Sequence, residues 1–113
     1  MTENDKGIEI DKELYLGTEA KLNLYIESMG GLTMDDYDFY IEAYTQWTQT
    51  PVVIRKEETI RVNEENRVVL LDTIKVGTGN LEFRVIAQIP DADLPDGYRK
   101  EVKRYKTDYI IVK

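Results

Sequence analysis

The sequence predicts an all-β fold: an Ig-like antiparallel β-sandwich of seven to eight strands, connected as a Greek key. Three observations carry this. Apolar residues recur with a period of two, most clearly in Leu81, Phe83, Val85, Ala87 and Ile89, which alternate with Glu82, Arg84, Ile86 and Gln88. Clusters of turn-forming residues separate such stretches at short, fairly even intervals. No stretch carries a sustained 3.6-residue period, and Glu57-Glu58 and Glu64-Glu65 offer a helical turn at most.

Taken in order, residues 1–7 read as a flexible N-terminus and residues 8–113 as one β-sandwich domain. Ile8, Ile10, Leu14 and Leu16 make an uneven first strand, broken near Asp11-Lys12, and Gly17-Thr18-Glu19 turns the chain. Leu22, Leu24 and Ile26 share one face of a half-buried second strand. Residues 28–36 read as a connection. Tyr37, Phe39, Ile41 and Ala43 then face one way, and Tyr40, Glu42 and Tyr44 the other.

Gln46 to Pro51 is a polar loop holding the single Trp, Trp47. Pro51 places Val52-Val53-Ile54 on a sheet edge, because proline cannot donate to a ladder. Thr59 to Val62 is short, and Asn63 to Asn66 turns. Val68-Val69-Leu70-Leu71 is continuously apolar, which predicts burial on both sides or an end tucked under a loop. Gly77-Thr78-Gly79 suits a crossing between sheets. The strand Leu81 to Ile89, the turn Asp91 to Gly97 and a last strand Val102 to Val112 complete the domain. Antibody-type domains add a cysteine pair with a tryptophan packed on it. Cysteine is absent here and Trp47 sits in a loop, so the likeness is one of architecture.

Composition removes several function classes. The chain has 113 residues, no Cys and no His, and a net charge of −7. Cys/His zinc sites and Ser-His-Asp or Cys-His nucleophiles are excluded. The acidic balance argues against nucleic acid and against an anionic membrane surface, and no apolar run is long enough for membrane insertion by a helix. The polar, acidic start is no signal peptide, so secretion by that route is not expected. Charge is uneven. Residues 1–42 hold eleven acids and three bases (−8), whereas residues 98–113 hold six bases and two acids (+4). Two readings fit. The last strand pairs beside an acidic strand of its own sheet, or it is a basic edge that docks on an acidic neighbour through Arg99, Lys103 and Arg104.

Two further features invite chemistry. Asp91, Asp93 and Asp96 before Gly97 are a weak calcium candidate, since hard oxygens close in sequence suit that ion. Their spacing departs from the EF-hand, no Glu follows at its twelfth position, and Asp-Pro-Gly composition equally makes a plain hairpin turn. Asp35-Asp36 with Asp38 reads as a solvated turn rather than as the matched carboxylate pair of a glycosidase. Tyr40 and Tyr44 on an outward face, Tyr25 outward on its own strand, and Trp47 beyond, suit a protein contact or a sugar platform; cross-strand aromatic pairing is the structural alternative. No catalytic residue and no cofactor are predicted.

The run Leu32-Thr-Met-Asp-Asp-Tyr-Asp-Phe39, the blocks Val69-Leu-Leu-Asp-Thr73 and Val76-Gly-Thr-Gly-Asn-Leu81, and the segment Ile89 to Gly97 resemble small structural proteins of phages and prophages of Bacteroides-type bacteria. Through these the chain is similar, from about Leu14 onward, to the N-terminal Ig-like domain of phage baseplate upper proteins and head-fibre proteins. The resemblance implies a non-enzymatic virion module of baseplate, tail or head fibre. Its implied partners are copies of itself or other phage structural proteins, and it carries over no functional residue. The alternative expectation is a carbohydrate- or surface-binding sandwich module of a bacterial protein.

Overall fold

The computed structural model describes residues 12–113. The expectations for residues 1–7 and for Ile8 and Ile10 lie outside the described residues. Eight strands form two sheets. They are β1 (Glu13–Tyr15), β2 (Glu19–Tyr25), β3 (Asp38–Tyr44), β4 (Val52–Arg55), β5 (Ile60–Asn63), β6 (Asn66–Asp72), β7 (Gly79–Pro90) and β8 (Tyr98–Val112). One sheet has the order β1-β8-β7-β3-β4 and the other β2-β6-β5. With β2 to β8 read as B, C, C′, D, E, F and G, these are the GFC-type and BED-type sheets of an Ig-like sandwich. All pairings are antiparallel except β1 with β8, where Glu13 lies opposite Ile110.

Alternation places the core between the sheets. Leu22 and Leu24 of β2, Phe39, Ile41 and Ala43 of β3, Val69 and Leu71 of β6, and Leu81, Phe83, Val85, Ala87 and Ile89 of β7 are buried. The edge expectation for Val52 to Ile54 holds, because β4 ends the larger sheet. The run Val68 to Leu71 departs from expectation. It alternates in an ordinary way, and Leu70 is 60% exposed. β6 sits mid-sheet with only its inner face covered, so an apolar run did not signal two-sided burial.

The segment 28–36 is also more than a connection. Met29 and Met34 are buried, and a Met29–Leu32 bridge closes the loop, with Gly30 and Gly31 at positive φ between them. Flexible thioethers fill the end of the core where the smaller sheet stops.

The Gly77–Gly79 crossing does link the two sheets. It is preceded by one helical turn, α1 (Thr73–Val76), whose start is capped by Asp72 accepting the Ile74 N–H at 3.0 Å. Three threonines hold it. Thr73 Oγ1 donates to Thr18 O at 2.9 Å and accepts from Gly17 N at 2.9 Å. Thr45 Oγ1 donates to Thr78 O at 2.8 Å, and Thr48 Oγ1 to Val76 O at 2.7 Å. The Thr45 and Thr48 hydroxyls satisfy carbonyls that have left the ladder at the crossing, and that of Thr73 ties the helical turn to the Gly17–Thr18 turn.

Tyr37 enters the core just before β3. It is buried, its hydroxyl has no hydrogen-bond partner among the described residues, and burial, aided by Tyr105, Glu101 and Asp36, pushes its pKa up to about 12. The unfolded phenol, near 10.0, ionises first. Above that pH the folded chain keeps a proton the unfolded chain has lost, so stability falls as pH rises from 10 toward 12. Tyr37→Phe is expected to raise stability by about 1 kcal/mol at neutral pH, because an unsatisfied buried hydroxyl is removed. It is also expected to flatten this alkaline loss. Urea titrations at neutral and alkaline pH check both; a destabilised Phe variant would mean the hydroxyl is satisfied in solution.

Candidate functional site

The outward face of the five-stranded sheet divides into two regions. Toward the ends of β3 and β8 nearest Tyr44, charges satisfy one another. The Arg84 guanidinium donates to Glu42 at 2.7–2.8 Å and lies 4.8 Å from the centre of the Tyr44 ring. The Tyr44 hydroxyl donates to Glu82 at 3.4 Å, and Arg104 Nε also meets Glu82 at 3.4 Å. Burial first, then the Glu82 charge, raises the Tyr44 pKa.

Toward the Asp91–Gly97 turn the same face behaves differently. Register puts Tyr40, Ile86 and Val102 in one row, Gln88 and Lys100 in the next, and Tyr98 beyond, opposite Pro90. These strands and the turn enclose an open cleft of ≈ 460 Å³ lined by Tyr40, Ile86, Gln88, Asp96, Tyr98 and Lys100. Its volume lies within the span of small-molecule sites, about 300–1,000 Å³.

A second feature is the flank of the sandwich between β2 and β8. β8 has fifteen residues, and among the described residues its edge away from β7 is paired only at Ile110–Val112, by β1. Among the described residues β2 likewise pairs only with β6. Between the two edges lies a groove of ≈ 360 Å³ whose apolar lining includes Leu22, Leu24, Phe83, Tyr105 and Tyr109. Two extra β8 residues between Lys106 and Ile110 bulge the ladder there. Thr107 closes the bulge, donating to Leu81 O at 2.8 Å and accepting the Tyr109 N–H at 3.0 Å.

The residues singled out from sequence are distributed unevenly over these features. Asp91, Asp93 and Asp96 are not gathered. Asp91 accepts the Asp93 N–H at 3.0 Å and faces Arg99 at 3.5 Å, while Asp96 lines the cleft. Among the described residues no three acidic side chains are placed to hold a metal ion, and the segment forms a hairpin turn closed by Asp91 N–H to Gly97 O at 2.8 Å. Tyr40 and Tyr44 do share the outer face, but Tyr25 lies on the other sheet. Trp47 is 73% exposed in the turn after β3, whose shape is fixed by Thr45 accepting the Trp47 N–H at 3.1 Å.

The basic trio divides as well. Arg99 and Lys103 face the inner side of β8, opposite Ile89 and Val85, whereas Arg104 faces outward opposite Arg84. Arg99 is held by Glu101 at 2.7 Å. Of the two strands beside β8, β7 carries one acid and one base, Glu82 and Arg84, and the acidic β1, with Glu13, reaches only its Ile110–Val112 end. β8 from Tyr98 to Tyr109 therefore keeps five bases against two acids, +3, in a chain of −7.

Asp35, read as a solvated turn acid, is instead an anchor. It accepts a two-pronged bond from Arg61 at 2.7–3.1 Å and faces the buried Arg67 at 3.5 Å. The Arg61 hydrogen bonds hold its carboxyl below the usual range. Gln88, Tyr98 and Lys100 were not singled out from sequence. Alternation marks them as outward-facing, but only the β7–β8 register brings them beside Tyr40. Comparison with protein-family models, curated proteins and solved structures finds no match to this chain.

Proposed function

We propose that this chain is a non-enzymatic structural and interaction module of a phage or prophage virion, acting through protein–protein contacts on the β2/β8 flank. The observation that carries the reading is the long β8 edge, which lies beside an apolar groove and bears +3. An extended segment laid along such an edge gains main-chain hydrogen bonds, and its alternate side chains enter the groove. The edge charge favours an acidic segment. The likeness of the turn and crossing segments to phage baseplate and head-fibre domains supports the virion setting.

Particles released by a strain encoding the chain provide the test. Quantitative mass spectrometry is expected to find the protein at a fixed ratio to the major structural proteins. Lys103→Glu with Lys106→Glu, both exposed on β8, is expected to cut incorporation at least about tenfold with an unchanged melting temperature. Absence of the protein from particles would overturn the virion reading; full incorporation of the double variant would remove the flank from it.

The second reading, a carbohydrate-binding module, is favoured by a different surface from the one foreseen. Tyr44 has one ring face covered by Arg84, and Trp47 stands in a separate turn. The Tyr40–Tyr98 cleft is the better sugar platform.

A further inference from the structure

We infer that the cleft between Tyr40 and Tyr98 binds a neutral hexose-type sugar. The inference rests on the second reading above and is independent of the flank. Its first support is the contrast across one sheet face. Glu42, Tyr44, Glu82, Arg84 and Arg104 pair among themselves, whereas the side chains of Tyr40, Gln88, Asp96, Tyr98 and Lys100 form no hydrogen bond or ion pair with any described residue. Polar groups converging on a cleft without using one another are available to a ligand.

The second support is chemical. Ile86 gives the cleft an apolar floor; it points outward yet is only 6% exposed. Sugar rings have apolar C–H faces and a rim of hydroxyls, and tyrosine offers a flat apolar ring with a polar tip. Lys100 donates only, Asp96 accepts only, and the Gln88 amide does both, which matches hydroxyls that must donate and accept together. Lys100 and Asp96 balance within the lining, and Asp38, exposed opposite Gln88 on the same face, adds a second carboxylate beside it. An acidic sugar would gain Lys100 and be repelled by Asp96, and a phosphate would meet the same opposition.

The third support is scale. Tyr40 and Tyr98 are two strands and four residue pairs apart in register, which places their Cα atoms about 17 Å apart. Two side chains reaching inward from that separation can bracket one or two sugar rings.

The test is an amide NMR titration of the full chain with glucose, galactose, mannose, N-acetylglucosamine, maltose, cellobiose and lactose, each at millimolar concentrations. At least one sugar is expected to give saturable shifts at Tyr40, Gln88, Tyr98 and Lys100, with a Kd on the order of 1 mM. Tyr98→Ala is expected to weaken that binding at least about tenfold without lowering the melting temperature, because Tyr98 is 53% exposed and contributes little to the core. No saturable shift with any sugar would overturn both the cleft and the carbohydrate reading. Saturable shifts centred on Trp47 and untouched by Tyr98→Ala would overturn the cleft while leaving a sugar-binding module in place.

Discussion

Phe39→Ala is expected to lower the free energy of unfolding by about 3–5 kcal/mol, the range for deleting a buried aromatic ring. At about 4–8 °C per kcal/mol for a domain of this size, the melting temperature should fall by at least about 12 °C. Phe39 is 3% exposed at the start of β3 and does more than fill volume. Tyr37 meets its ring edge-on at 6.1 Å, and Arg67 and Lys56 lie 5.6 and 5.8 Å from its centre. Arg67 belongs to the opposite sheet and is itself buried. Removing the ring therefore leaves a cavity and strips a buried guanidinium of its packing surface. Chemical denaturation measures the loss; a change below about 1 kcal/mol would mean that the site collapses freely and that the two sheets are not joined through this ring.

Gly79→Ala is expected to cost about 3–5 kcal/mol, through backbone strain and overpacking together. Gly79 has φ +125°, and an added β-carbon would lie 2.9 Å from Thr45 Cβ and 2.7 Å from Gln46 Oε1. The exposed Gln46 side chain can swing away at the cost of one hydrogen bond, but Thr45 cannot. Thr45 is buried and bonded to Thr48 and to Thr78 O, and Gln46 Oε1 accepts the Asn80 N–H at 3.0 Å. Gly77 is the internal control. It has φ +90° and ψ 179° with nothing within 4 Å of an added carbon, so Gly77→Ala should show backbone strain alone, about 1–3 kcal/mol. Equal costs for the two variants would show that the crossing shifts as a unit and does not bear on Thr45.

Much of this architecture is legible in the sequence because the signals are local. The period of two in Leu81 to Ile89 comes from the pleat, so it identifies β7 and its buried face without any neighbour. Pro51 marks an edge because it lacks a donor, and β4 is an edge. Local signals fail where the answer depends on what covers a residue. Leu70 resembles its buried neighbours in type but faces away from the other sheet. Met29 and Met34 stand in a glycine-rich connection, yet that connection folds over the open end of the core.

The candidate surfaces were less legible for the same reason. Alternation marks Tyr40 as outward-facing, but its companions Gln88, Tyr98 and Lys100 come from two strands about fifty or sixty residues later. The basic character of the last strand is plain from composition. That Arg99 is consumed by Glu101 and Asp91, and that Arg104 faces opposite to Lys103, follows only from register and hairpin geometry.

By itself, then, the sequence determined that the chain is an all-β sandwich and which face of its clearest strands is apolar, because backbone pleat and turn chemistry act over a few residues. It also excluded Cys- and His-based chemistry, by residue type alone. Tertiary structure decided which outward residues meet, which charges cancel and which edge stays open. Those outcomes depend on strand order and pairing register, where a shift of one residue turns every side chain to the other face.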